Sequence, residues 1–251
     1  MKTSPRILAA ATLLVAGNLV ACADSTGTGG VRPVSLSFST GGLTPGATAA
    51  RFAGTGAPDP LVITKAQLVL SKSELERAGV TCVGTMKADE DSCPDLKLGP
   101  MLVDLPLDAT TRMALTVSIP AGTYHQFEAE IDAITSENEG NQQESAAFLA
   151  ANPNFRGVSI RVEGTYNGAP FVYTTGVESA IELEFNPDMV VDGTTKNLTV
   201  HADMSRWFLN GSGVRIDPTT ANSGGANKSL VDENIKRSFD AFEDDDHDGR
   251  R

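Results

Sequence analysis

The chain has 251 residues, 20 Lys and Arg against 32 Asp and Glu, and a formal charge of −12. With 40% hydrophobic residues it can bury a sizeable core, which excludes wholesale disorder. Its acidic balance leaves no cation surplus to neutralise phosphates, which excludes nucleic acid as partner and purely electrostatic binding to an anionic membrane.

The chain opens with Lys2 and Arg6 and then an apolar run from Ile7 to Gly17, ending in Leu19-Val20-Ala21-Cys22. The run is shorter than the roughly 20 residues that a bilayer-spanning helix needs. A basic start, an apolar middle and small residues before a cut are the layout of an export signal over residues 1–21. Leu19-Val20-Ala21-Cys22 also resembles the lipobox of bacterial lipoproteins. That resemblance implies cleavage before Cys22, diacylation of its sulfur and a third acyl chain on the new N-terminus. Each buried methylene contributes about 0.8 kcal/mol, so two or three chains hold a protein on a membrane almost permanently. Ala23, in place of Asp, points to the outer membrane, with Asp24 next in line. The alternative is an ordinary secretory signal in which Cys22 is incidental. Cleavage leaves 18 cations against 32 acids, a charge of −14.

Residues 22–33 are small and polar, a flexible tether that lifts a domain off a lipid surface. Val34–Ser39 alternates apolar and polar, as a half-buried strand does. Residues 41–60, rich in Gly, Ala and Pro, read as a loop. Leu61–Leu70 is a second strand, which residues 71–78 either extend or pair with. Cys82 and Cys93 then share one polar loop. Once Cys22 is lipidated they are two thiols in an oxidising compartment, and a disulfide between them would add roughly 2–3 kcal/mol.

Short strands follow at Met101–Leu105, Ala114–Ile119 and Tyr124–Ile134, the last with Phe127, Ala129 and Ile131 inward and Glu128, Glu130 and Asp132 outward. A short helix is expected at Ser145–Ala151, ended by Asn152-Pro153. Val158–Tyr173 reads as a hairpin turning at Asn167-Gly168, because a type I′ turn needs positive φ at both central residues. Strands around Ile181–Phe185 and Leu198–Met204 complete a count of nine to ten. With no helices long enough for crossovers between them, the fold predicted over residues 34–218 is an all-β, antiparallel β-sandwich.

Residues 219–251 are predicted as a mobile linker, a short amphipathic helix from Ser229 to Phe242 with Val231, Ile235, Phe239 and Phe242 on one face, and an acidic tail. Asp244, Asp246, Asp248 and Gly249 match the D-x-D-x-D-G opening of a calcium loop behind a helix. The twelfth loop position, which supplies a bidentate Glu, falls beyond Arg251. The two readings are a partial calcium site and a solvated acidic tail.

Catalytic motifs are scarce. The chain lacks H-E-x-x-H, G-x-S-x-G and the P-loop pattern. His125 and His201 read as solvent-facing strand residues, and a shared metal site would require their strands to be neighbours. The row Glu128, Glu130, Asp132 is either the wet side of a strand or part of a carboxylate-dependent hydrolase, which would need partners across a cleft. Trp207 is either a sugar-stacking platform or a core plug beside Phe208.

Several motifs resemble an uncharacterised family of bacterial exported lipoproteins with a transthyretin-like β-sandwich. They are Ile63–Leu70, Val103-Asp104-Leu105, Ile119-Pro120-Ala121-Gly122-Thr123-Tyr124, Asn197-Leu198-Thr199-Val200 with Asp203, and Ile216-Asp217-Pro218. The Pro120–Tyr124 turn is also similar to one in periplasmic copper-binding lipoproteins, whose metal ligands have no counterpart here. These resemblances imply fold and location. The functional expectation is a lipid-anchored, non-enzymatic envelope module that binds a glycan or an envelope protein. The alternatives are a calcium- or copper-binding lipoprotein and a hydrolase.

Overall fold

The computed structural model describes residues 30–41, 50–51, 60–79, 96–108, 110–135 and 142–249. The expected signal segment, Cys22, Cys82 and Cys93 lie outside the described residues.

The strands are β1 (Val31–Thr40), β2 (Ala50–Arg51), β3 (Leu61–Arg77), β4 (Leu96–Leu98), β5 (Met101–Asp104), β6 (Arg112–Pro120) and β7 (Gly122–Ile131). After helix α1 (Gln142–Ala151) come β8 (Ile160–Tyr166), β9 (Ala169–Thr175), β10 (Ser179–Val191) and β11 (Lys196–Ala202). Helix α2 (Lys228–Lys236) precedes the final strand β12 (Phe239–Glu243). They form two sheets: a four-stranded one in the order β12-β11-β1-β6, and a larger one in the order β10-β7-β3-β8-β9, with β2, β4 and β5 added along β3. This is the expected all-β sandwich with a short C-terminal helix.

Alternation explains the packing. On β3, β7 and β10, Leu75, Phe127 and Leu183 stand opposite one another and face the core, while Glu74, Glu128 and Glu182, one residue away, face out. Inward residues from both sheets, among them Leu36, Phe38, Leu68, Ile131, Val162, Leu198 and Val200, make one continuous core. Residues 71–77 extend β3 rather than folding back on it, giving a 17-residue strand that serves as the spine of the larger sheet. The Asn167-Gly168 turn has the expected positive φ at both positions, 50° and 79°.

Three features depart from expectation. The β1–β11 pair is parallel, whereas every other strand pair is antiparallel among the described residues. The C-terminal helix stops at Lys236 rather than running to Phe242, and Phe239–Glu243 pairs with β11. A strand wins there because β11 offers an otherwise open edge on which five residues find partners. The segment expected as a mobile linker forms a 3-10 turn, Pro218–Ala221. Beyond it the Asn222 side chain accepts from Thr174 N and donates to Val172 O, covering the edge of β9.

The two helices do different work. Phe148 and Leu149 of α1 pack with Val69, Ile134 and Phe155 in a second apolar cluster, which covers part of the outer face of the larger sheet. Val231 and Ile235 of α2 enter the main core.

Candidate functional site

Two acidic clusters, one on each outer face of the sandwich, are the chemically distinctive places. In each, three carboxylates, Glu74, Glu76 and Glu128 in one and Asp244, Asp246 and Asp248 in the other, offer oxygens within 4.8 Å of one another.

The first cluster lies on the larger sheet. Register sets Glu74, Glu128 and Glu182 side by side across β3, β7 and β10, with Glu76, Gln126 and Glu184 in the next row and Lys72, Glu130 and Ala180 in the row before. Like charges directly opposite in a sheet repel, so this arrangement costs stability. Glu74 is only 7% exposed, and its carboxylate is held by Lys72 Nζ at 3.0 Å and Lys97 Nζ at 3.1 Å. Glu76 meets His125 Nε2 at 3.2 Å. Burial, and next the charge of Glu76, push the Glu128 carboxyl above the ordinary glutamate range. Burial and then Asp132 push Glu130 up in the same way. A shallow depression of about 100 Å³ opens here between Lys72, Glu128, Glu130 and Glu182.

The second cluster is the C-terminal loop, and it is no solvated tail. Ser35, Ser37, Ser39, Asn197 and Thr199 form a buried polar stripe on the outer face of the smaller sheet. Asp244, 2% exposed, packs against that stripe. Its carboxylate accepts from Thr199 Oγ1 (2.7 Å), Asp248 N (2.9 Å) and Gly249 N (3.1 Å). Asn197 ties the stripe together: its Nδ2 donates to Asp244 O and Thr199 Oγ1, and its Oδ1 accepts from Ser37 Oγ. Asp246 and Asp248 are exposed. An ionised carboxylate has about four lone-pair sites, and three on Asp244 are already used within the protein. Asp244, Asp246 and Asp248 are thus brought together as the motif predicts, but around a hydrogen-bonded turn.

The other expected residues separate. His125 lies on β7 of the larger sheet and His201 on β11 of the smaller, where its Nδ1 pairs with Ser39 Oγ at 2.9 Å. They cannot share a metal. Of Glu128, Glu130 and Asp132, Glu128 alone finds carboxylates opposite it, Glu74 and Glu182 on the adjoining strands of the same open face, while Glu130 stands between Lys72 and Ala180. The three do not face partners across a cleft, which is what glycoside hydrolysis requires.

Trp207 is fully buried and is no sugar platform: its Nε1 donates to Ser238 Oγ at 2.7 Å. Beside it Phe208 meets Tyr173 edge-on at 5.1 Å between ring centres. Burial pushes the Tyr173 hydroxyl far above its ordinary range, so it stays protonated and points at Asp232 Oδ1. A gap of about 20 Å³ between the sheets, lined by Leu36, Leu75, Leu115 and Phe127, has room for a water and nothing larger.

Sequence reasoning found the Glu128 row but did not join Glu74, Glu76 and Glu182 to it, though they belong with it. Their outward positions within alternating strands were the available signal. The chain matches no protein-family model, no curated protein and no solved structure.

Proposed function

We propose that this protein is a lipid-anchored envelope module, fixed to the outer membrane through acyl chains on Cys22. In this role it presents the carboxylate face of β3, β7 and β10 to another envelope component. The observation that carries the reading is Leu19-Val20-Ala21-Cys22, placed only nine residues before the first strand at Val31. The carboxylate face supports the second half. It keeps like charges in register at a cost in stability, which a purely structural surface has no reason to retain. With Trp207 in the core, an envelope protein with a cationic patch fits this face better than a glycan does.

The anchor is tested by growing cells expressing the full chain with labelled palmitate. Label is expected in the wild-type protein and absent from Cys22→Ser. Unlabelled wild-type protein would end the proposal. The binding face is tested by crosslinking in intact envelopes: the adducts of the wild-type protein should be lost in a Glu128→Gln, Glu182→Gln double variant that keeps its fold.

A second reading is favoured by the convergence of Asp244, Asp246 and Asp248, which makes a calcium-binding turn the alternative role. Calorimetry with calcium alone decides it. Heat in the wild type that disappears in Asp246→Asn supports calcium, and no heat in either removes it.

A further inference from the structure

The first described residue, Gly30, fixes which end of the sandwich carries the anchor. Gly30 O accepts from Ala121 N at 2.7 Å, and Val31 pairs with Pro120, so β1 begins beside the turn between β6 and β7. At the far side of that turn, Gly122 and Thr123 pair with Val191 and Val190 at the end of β10. The two sheets therefore meet here in one pole.

The pole's surface differs from the wet faces beside it. Val31 is 60% exposed, Val190 is 50% exposed, and Pro120 between them is exposed as well. Two guanidinium groups hold the backbone of the pole. Arg32 donates from Nε to Asp192 O, and Arg77 donates from Nη2 to Ala121 O at 2.9 Å with its charge 5.7 Å from the Tyr124 ring centre. The Asp192 carboxylate beside the pole stays exposed and accepts from Thr194 N at 3.0 Å and from Thr194 Oγ1 at 3.1 Å. Exposed apolar side chains scattered singly need no explanation. Here two of the large ones and a proline surround the point where the chain leaves toward Cys22.

Length decides the occupant. Cys22 to Gly30 is nine residues and spans at most about 30 Å even when fully extended. The 17-residue β3 alone runs about 56 Å. An acylated Cys22 therefore keeps this pole within reach of the bilayer and holds much of the molecule beyond it.

On this basis we infer that the pole formed by Val31, Pro120 and Val190 rests on the lipid surface, seating these three side chains in the headgroup layer. The inference depends on acylation of Cys22. It fixes the orientation of the domain: Trp207 and the loop after β11 point away from the membrane, and the carboxylate face of β3, β7 and β10 stands upright beside it.

The test uses the full acylated chain in vesicles of brominated phosphatidylcholine, a zwitterionic lipid whose bromines quench indole emission at short range. Val31→Trp and Val190→Trp place a reporter at the pole. Met113→Trp places one on an equally exposed site seven residues along β6 from Pro120, about 24 Å away. Trp207, buried at the far end, gives the same background in all three. The added emission at positions 31 and 190 is expected to be lost in brominated relative to unbrominated vesicles, and that at position 113 to persist. Persistence at 31 and 190, or loss at all three, in protein whose mass shows the acyl chains would overturn the orientation and leave the anchor standing. A mass without acyl chains would overturn both.

Discussion

The two outer faces of the sandwich make opposite use of polar residues. On the smaller sheet, Ser37, Asn197, Thr199 and Asp244 are buried together and exchange hydrogen bonds in a connected network. On the larger sheet, Glu74, Glu128 and Glu182 stand in one row, with Lys72 and Lys97 against Glu74 and the Gln126 amide donating to Glu128. One face resembles a polar interior that stabilises the fold, and the other keeps repulsion at an open surface. The contrast teaches that acidity has two meanings in this chain: Asp244 is an architectural acceptor, and the glutamate row is a surface held ready for something else.

The contrast breaks most readily at Asp244. Asp244→Ala leaves Thr199 Oγ1 and the amides of Asp248 and Gly249 without their acceptor, a loss of about 2–4 kcal/mol in urea unfolding. A loss within measurement error would mean that the C-terminal turn adds nothing to the smaller sheet. Trp207→Phe keeps an aromatic ring but removes the donor to Ser238 and leaves a small cavity in the core, and about 1–3 kcal/mol should go with it.

The larger sheet should respond with the opposite sign. Glu128→Gln removes the central charge of the row and is expected to stabilise the fold by about 0.2–1 kcal/mol at neutral pH. Its pH dependence sharpens the point. The folded protein holds the Glu128 and Glu130 carboxyls above their unfolded values. In the window between the two values the native state therefore binds more protons at these two groups, and their contribution to stability rises as pH falls from neutrality toward about 4.5. The penalty is full above the raised values and gone below the ordinary one. The advantage of Glu128→Gln over wild type should shrink across that window, and a constant difference would show that the row carries no repulsion. The smallest effect belongs to Asp246→Asn, an exposed site within the otherwise buried network, where unfolding in calcium-free buffer should move by less than about 0.5 kcal/mol.

Much of the fold was legible because alternation is a local property. Val34–Ser39, Tyr124–Ile134 and the Asn167-Gly168 hairpin declared themselves in stretches short enough to read directly. What escaped was set by partners distant in sequence. Leu96–Leu98 is a strand only because Ser73–Leu75 lies beside it. The parallel pairing of β1 with β11 joins residues 160 or so apart, which no periodicity encodes. Val231, Ile235, Phe239 and Phe242 do fit a helical stripe. The open edge of β11 overrode that spacing for the last two, as tertiary pairing often overrides propensity. The candidate face failed in sequence for the same reason. Glu128, Glu130 and Asp132 look like any wet strand side until register sets Glu74 and Glu182 against them. Trp207 offered two readings because a Trp beside a Phe at a strand end plugs a core or lines a surface equally well. Its partner Ser238 lies 31 residues on.

The role of the glutamate face presumes a domain held at a membrane, and a single mass decides that. The protein taken from native envelopes should begin at Cys22 and exceed the mass of its polypeptide by the diacylglyceryl group and a third acyl chain. A chain that still carries residues 1–21, or one that begins elsewhere with an unmodified cysteine, would contradict the account.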